Sequence, residues 1–399
     1  IGVFINLGEK IKVLFISHSS NIFGAEKSLL LLLKNINREH FEPIVVLPMS
    51  GPLKERVNTL KIKIYEVKSP WWIRSRKEKN ILLNISRLGQ CIILEIIASC
   101  KIFKIVKQEK INIIYTNTIV NFSGAIVALI TKVPHIWHIR EIISKNPNLF
   151  SYFPNEILFN FIVKFSNKVI ANSIATANQF KKSKSNKRII VIYNAVDTEN
   201  FKYKKVLIND KIKFSDWLVA VIGALQKRKG QDDVIHAIKI AKKNIPNIKL
   251  LIIGDVGDIE FKNYLKILTS KLNISNNVIF TGYRNDVPQI LSNCKVLVMP
   301  SWNEPFGRVV IEAMAAGIPV IGVNAGGPKE IIQDGISGYL IPSCNPSAIA
   351  EKIIYLYHHQ SIGKKMGENG KKIVKKKFNV KSHTKNIEKI LYEIAGNKK

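Results

Sequence analysis

The stretch NEPFGRVVIEAMAAGIPVIGVNAGGPKEII, residues 303–332, sets Glu304 and Glu312 eight residues apart around a proline, a glycine and an apolar run. Two carboxylates so placed can accept hydrogen bonds along one extended polyhydroxyl ligand, if something fixes the distance between them. Pro305 favours a first helical turn and biases the residue before it away from helical geometry, so a helix is expected to start near Phe306. VVIEAMAAG then reads as a short buried helix ended by Gly317, and IPVIGVN as an interior parallel strand, apolar on both faces. Glu304 precedes the helix; Glu312 lies inside it. The opening turn at Gly307, Arg308 and Val309 leaves backbone N–H groups at the positive end of the helix dipole, a ready site for an anion. A glutamate in so apolar a segment needs a partner, which weighs against reading the pair as a helix-start residue and a solvated one.

The elements that must position this segment alternate along the chain. Apolar runs KVLFIS, EPIVVLP, INIIYTN, PHIWHIR and NKVIANS are separated by helical patterns, the first from about Ala25 to Asn35. Such alternation implies a doubly wound parallel sheet. The pattern breaks in the polar, lysine-rich residues 198–216 and restarts with WLVAVIGAL, then IKLLIIGD, NVIFTGY, CKVLVMPS and GYLIP. The expected organisation is an N-terminal Rossmann-like domain over 1–204, a second over 205–377, and a C-terminal helix over 378–399 that can pack back on the first. Two such α/β domains turn the carboxyl ends of their strands toward a common cleft, where ligands bind.

At 399 residues, 46% of them hydrophobic, the chain is long enough for two cores. A net charge of +32 implies attraction to something anionic: nucleic acid, an acidic membrane face or a phosphorylated ligand. No RNA-recognition, helix-turn-helix or zinc-finger pattern supports the first, and no nucleic-acid partner is expected. Cys91, Cys100, Cys294 and Cys344 show no metal-ligand spacing and read as small buried residues of a reducing cytosol. No signal-peptide pattern opens the chain, so a cytoplasmic protein is expected. Residues 81–107 are strongly apolar, yet Arg87, Gln90, Glu95 and Lys101 interrupt them, which reads as a buried helix and not a span. Just upstream, Trp71 and Trp72 stand beside Arg74, Arg76, Lys77 and Lys79, a mixture suited to the inner face of an anionic membrane.

In this order IYNAVDTENF, IGALQKRKGQDDVIHA, IIGD, TGYRNDVP and VMPSWNEPFG, closed by the Glu304 to Glu312 spacing, resemble the retaining glycosyltransferases of family 4 and their E-x7-E signature. The resemblance covers nearly the whole chain and implies the GT-B fold. By it, Glu312 binds the ribose hydroxyls of a nucleotide-sugar donor and Glu304 contacts the transferred sugar. The backbone of Phe306, Gly307, Arg308 and Val309 holds sugar hydroxyls or the diphosphate. Lys229 reaches that diphosphate from the loop after Gly223. Ala224 stands where the family often has arginine, with Arg228 or Arg308 as the replacement cation. Gly24 resembles the remnant of a glycine-rich turn before the first helix, although a simple helix start explains it almost as well. His138 in HIWHIRE resembles a histidine facing the donor sugar; a satisfied structural histidine is the alternative.

The implied reaction is glycosyl transfer with retention, its main task being to stabilise charge gathering on the leaving diphosphate. Lys229, Glu304 and His138 are the expected catalytic residues. The nucleotide-sugar enters as substrate, with no cofactor, and the absence of an Asp-x-Asp motif makes a required metal unexpected. The acceptor is expected to be a glycan or lipid-linked, as in surface polysaccharide or glycolipid assembly. A sugar-nucleotide epimerase of the same fold is the competing enzyme, and a basic nucleic-acid-binding protein the competing non-enzyme.

Overall fold

The computed structural model describes residues 9–74, 81–144, 146, 149–183, 188–201, 210, 212–213 and 215–396. The chain forms two compact units, Ile1–Asn194 with Val380–Lys399, and Ala195–Asn379. The expected boundary between residues 204 and 205 lies outside the described residues. The division falls earlier, after Asn194, because Val196 already pairs with Asn379 and donates its N–H to the Phe378 carbonyl, both in the second unit.

The first unit carries strands β1 (Ile11–Ile16), β2 (Phe41–Leu47), β3 (Lys63–Glu66), β4 (Ile73–Arg74), β5 (Ile113–Thr116), β6 (His135–Ile139), β7 (Phe150–Ser151), β8 (Lys168–Ala171) and β9 (Ile189–Val191). Its helices are α1 (Gly24–Asn35), α2 (Pro52–Thr59), α3 (Ile81–Gln108), α4 (Ser123–Thr131), α5 (Asn155–Lys164) and α6 (Ile174–Asn178). Among the described residues the main sheet has seven strands in the order β3-β2-β1-β5-β6-β8-β9, all parallel, while β4 and β7 pair separately and antiparallel. Strands buried on both faces need apolar residues at successive positions, and Val13, Leu14 and Phe15 are fully buried.

The second unit repeats the plan with β10 (Trp217–Ile222), β11 (Ile248–Ile253), β12 (Val278–Gly282), β13 (Val296–Met299), β14 (Val320–Val323) and β15 (Gly338–Ile341). Their order, β12-β11-β10-β13-β14-β15, is parallel throughout. Helices α7 (Gln231–Ala241), α8 (Ile259–Lys271), α9 (Val287–Asn293), α10 (Arg308–Ala316), α11 (Gly326–Ile331), α12 (Pro346–His358) and α13 (Gln360–Lys377) connect and cover them. In each unit the strand order reverses beside the first strand, between β1 and β5 and between β10 and β13. At such a switch point the connections leave in opposite directions and open a crevice at the carboxyl ends of the strands.

The last helix, α14 (Val380–Gly396), belongs to the first unit, where Ile387, Ile390, Leu391 and Ile394 join the core built on Leu29, Leu33 and Phe41. Phe378 is not part of it; its ring packs edge-on against Phe306, 5.9 Å away in the second unit.

Three other expectations change. Cys294 is buried, but Cys100 and Cys344 are exposed. Trp72 is no membrane anchor: it stacks on Phe122 and donates from Nε1 to Glu95 Oε2 at 2.6 Å, and is only 6% exposed. Arg76, Lys77 and Lys79 lie outside the described residues. Helix α3 is buried along one side only, its Ala98, Ile102, Ile105 and Val106 entering the core while Ile93 and Ile96 remain largely exposed.

Helix α13 carries two glycines of different character, of which Gly367 lies against the end of α10. A Cβ on Gly367 would overlap the Gly317 carbonyl oxygen, whereas one on Gly363 would make ordinary contacts with Leu356 Cδ2 at 3.5 Å and Pro319 Cγ at 3.9 Å. Gly367→Ala is therefore expected to destabilise the second unit by about 1–3 kcal/mol through overpacking. Gly363→Ala, which only improves helix propensity, should stabilise it by up to about 1 kcal/mol. Urea denaturation of both variants checks the opposite signs.

Candidate functional site

At the switch point of the second unit, two loops deliver charged side chains to each other. The loop after β10 carries Gly223, Arg228 and Lys229; the loop after β13 carries Ser301, Glu304 and Gly307. Lys229 Nζ lies 2.6 Å from Glu304 Oε2, with each side chain about 15% exposed. A Cβ on Gly223 would meet the methylene stem of Lys229 at an ordinary contact of 3.6 Å; the glycine is suited instead to its φ of 153°, which other residues rarely adopt. Burial pushes the Glu304 carboxyl up, but Lys229, Arg228 and the Ser301 hydroxyl outweigh it and hold it below its ordinary value.

Glu304 also anchors its own loop. Its carbonyl accepts from the Gly327 N–H at 2.9 Å, and side chains on Gly326 or Gly327 would run into the backbone of Glu304 and Phe306 respectively. Phe306 is buried and pins the loop from below. Gly307 then takes a left-handed conformation, φ 91°, and α10 begins at Arg308. The helix thus starts two residues later than Pro305 suggests, because the left-handed turn at Gly307 must precede it. Phe306 consequently stands outside the first helical turn, while Arg308 and Val309 open it and present the N–H groups that an α-helix cannot satisfy internally. One turn on, Glu312 is 8% exposed and lies 3.4 Å from Arg308 Nη2, whose Nη1 donates to the Ala195 carbonyl.

The two replacement cations are therefore unequal. Arg308 is committed to Glu312 and the backbone. Arg228 is half-buried, donates from Nε to Gln226 Oε1 at 3.1 Å and contributes to the field on Glu304. Lys227 turns outward and pairs with Asp232.

The first unit holds a different cluster. His138 is fully buried on β6; its Nδ1 receives the Tyr115 hydroxyl and lies 3.3 Å from Arg140 Nη2. Burial, then Arg140 and His383, hold its pKa well below the ordinary histidine value. A neutral imidazole accepting at Nδ1 carries its proton on Nε2, and Nε2 is buried without a hydrogen-bond partner. His138 can therefore donate a hydrogen bond but is a poor proton acceptor near neutrality. Arg140, which the sequence reading passed over, is the hub: Nε donates to Asn117 Oδ1 at 2.9 Å and Nη1 to Asn194 Oδ1 at 2.7 Å. Its presence two residues after His138 on a buried strand was the available signal. Gly24 opens α1, exposed and without a left-handed torsion, so its conformation does not require glycine. Glu26, two residues later, is buried, 3.3 Å from His18 Nδ1, and accepts from the Phe23 N–H at the third helical position, half of a capping box whose N-cap, a phenylalanine, gives no sequence signal.

Residues 22–200 match the family model for glycosyltransferase family 4, and residues 203–373 that for glycosyl transferases group 1. A glycosyltransferase of Methanocaldococcus jannaschii is 32% identical over 278 residues, 68% of this chain and 72% of that protein. CapM, a capsular polysaccharide biosynthesis glycosyltransferase of Staphylococcus aureus, is 30% identical over 274 residues, 64% of this chain and 69% of CapM. The crystal structure of HepE from Anabaena in complex with UDP-glucose matches with a TM-score of 0.80 at 25% identity, covering 96% of this chain and 100% of that one.

The first unit's buried histidines give a pH dependence whose sign can be stated. His135 is held down to about 4 by burial, and His138 is also depressed. Below the ordinary value of 6.5 the unfolded chain takes up protons at both rings that the folded chain refuses. Their contribution to stability is present above pH 6.5 and is lost as pH falls toward their folded values. The melting temperature is expected to drop between pH 7 and 5, and His138→Gln should make that drop shallower. An unaltered slope in the variant would mean that His138 takes up its proton in the fold at the same pH as in the unfolded chain.

Proposed function

The chain belongs to the family 4, group 1 glycosyltransferases, two-domain enzymes of GT-B fold, and from that premise we propose that it transfers a sugar, with retention, from a nucleotide-diphosphate-sugar to an acceptor hydroxyl. The observation that carries this reading is the Lys229–Glu304 pair beside the start of α10. A lysine held at the mouth of a switch-point crevice, next to the positive end of a helix, is placed to receive two phosphates.

As the donor's C1–O bond lengthens, the sugar becomes oxocarbenium-like and negative charge collects on the departing diphosphate. Lys229 and the backbone at Gly307, Arg308 and Val309 meet that charge, with Arg228 as the second cation in place of an arginine at Ala224. Fixed charges in a half-buried site need little rearrangement as the charge develops, which is why they lower the barrier. Glu312 takes the ribose diol, since one carboxylate accepts from two neighbouring hydroxyls. Glu304 accepts from the transferred sugar and keeps Lys229 in place until the donor arrives. By the resemblance, His138 of the first unit is a hydrogen-bond donor through Nε2. The departing phosphate oxygen takes the acceptor's proton, so no side-chain base is assigned. No metal or cofactor is invoked.

The crystal structure of HepE holds UDP-glucose, which makes UDP-sugars the first donors to test here. CapM is named for capsular polysaccharide biosynthesis, which supports a glycan or lipid-linked acceptor in surface polysaccharide or glycolipid assembly. No described helix is long and apolar enough to cross a membrane. Peripheral attachment at the cytoplasmic face would bring the enzyme to such an acceptor.

A panel of UDP-, GDP- and ADP-sugars, read by protection against thermal unfolding, tests the donor reading without knowledge of the acceptor; no protection by any of them would refute it. Glu312→Ala should weaken binding of the protecting donor by about tenfold to a hundredfold, the scale of lost hydrogen bonds to a charged acceptor, while α10 tolerates the alanine. Lys229→Ala should lower turnover by about two to three orders of magnitude. Turnover within a few fold of the parent would return Lys229 to a purely structural role.

A further inference from the structure

Helix α3 is 28 residues long, about 40 Å, and packs on α4 through Ala98, Ile102, Val127 and Ala128. Its other side is not polar. Ile85, Ile92 and Ile96 follow one another at intervals of seven and four residues, which places them in one stripe, and Ile93 and Ile97 form the stripe beside it. Ile85, Ile93 and Ile96 are each about 60% exposed, as is Ile130 at the end of α4. Single exposed apolar residues are common; a ladder of isoleucines along one helix face is not.

The same stripes continue toward the C-terminus as Cys100, Lys104 and Lys107, with Lys101 alongside and Lys132 just beyond α4, all exposed. Among the described residues of α3, acid is absent from this face. Glu95 turns into the core to accept from Trp72, and Glu109 is held by Lys63 and Tyr65. The surface is therefore an apolar strip ending in cations, in a chain of net charge +32. A second copy of the chain would bring the same lysines to the interface and no carboxylate to meet them. A lipid surface supplies both complements at once, acyl chains for the isoleucines and anionic headgroups for the lysines.

We propose that the α3–α4 face is a docking surface for an anionic lipid bilayer. The helix lies in the plane of the interface, its isoleucines at the acyl boundary and Lys101, Lys104 and Lys107 among the phosphates. This deepens the lipid-acceptor reading by naming the surface that meets the membrane. It does not depend on sugar transfer, so failure of one leaves the other standing.

The test uses the full chain with an environment-sensitive fluorophore on Cys100, in a Cys344→Ser background that removes the exposed thiol of the other unit. Vesicles of phosphatidylglycerol and phosphatidylcholine in equal parts are expected to sediment the protein at low salt and shift the label to the blue. High salt, or phosphatidylcholine alone, should largely abolish both effects. Ile93→Ser with Ile97→Ser should lower the partition coefficient at least about tenfold, given the apolar area withdrawn from lipid. Changing Lys101, Lys104 and Lys107 to Gln should lower it on anionic vesicles. A label that stays in water while the protein sediments would move the contact elsewhere and overturn the assignment, as would absence of sedimentation at low salt. A dimer in sedimentation velocity that the serine pair dissolves would replace lipid by a second copy and equally overturn it.

Discussion

Lys229 and Glu304 come from loops 75 residues apart, and their half-buried ion pair is the contact around which the rest of the second unit's site is arranged. A pair in this position is neither a solvated surface bridge, worth little, nor a fully buried one, whose desolvation would cancel its attraction. Its partial burial lets Arg228 and Ser301 add to the field on Glu304, and still leaves an arriving anion free to exchange with the carboxylate for the lysine.

That contact is possible only because backbones at the crevice come unusually close. Gly223 leaves β10 through a φ of 153°, which other residues rarely adopt. A Cβ on Gly254, at the end of β11, would overlap the Gly223 carbonyl oxygen, while Gly326 and Gly327 lie against the Glu304–Phe306 backbone. Gly307 turns the chain into α10 through a conformation that other residues rarely adopt. These glycines give little stability to their own strands and helices. Their effect is to let two switch-point loops and the start of α10 share a space that side chains would otherwise fill.

Much of this was legible from local sequence. Continuous apolar runs marked the parallel strands, Gly317 marked the end of α10, and the spacing of Glu304 and Glu312 marked the loop and helix start that Lys229 and Arg308 meet. What escaped the reading was non-local. Nothing near Trp72 announces that Glu95, on helix α3, will draw its indole into the core, so two tryptophans beside basic residues looked like an interfacial anchor. The periodicity of α3 gives one buried face, but not whether its second apolar face is covered. Pro305 sets the local preference for a helix start, yet the tertiary need for a left-handed turn at Gly307 delays that start to Arg308. Arg140 joins Asn117, His138 and Asn194 only because three segments converge at the ends of β5, β6 and β9.

The central claim is that this crevice of the second unit is built for a diphosphate. Calorimetric titration of UDP, GDP and ADP, each against its own nucleoside, tests it most directly. For the nucleotide the enzyme uses, the diphosphate should bind at least about a hundredfold tighter than the nucleoside, the scale of a few charge-assisted hydrogen bonds, and Lys229→Ala should erase most of that difference. Equal affinity of diphosphate and nucleoside in all three pairs would contradict the account.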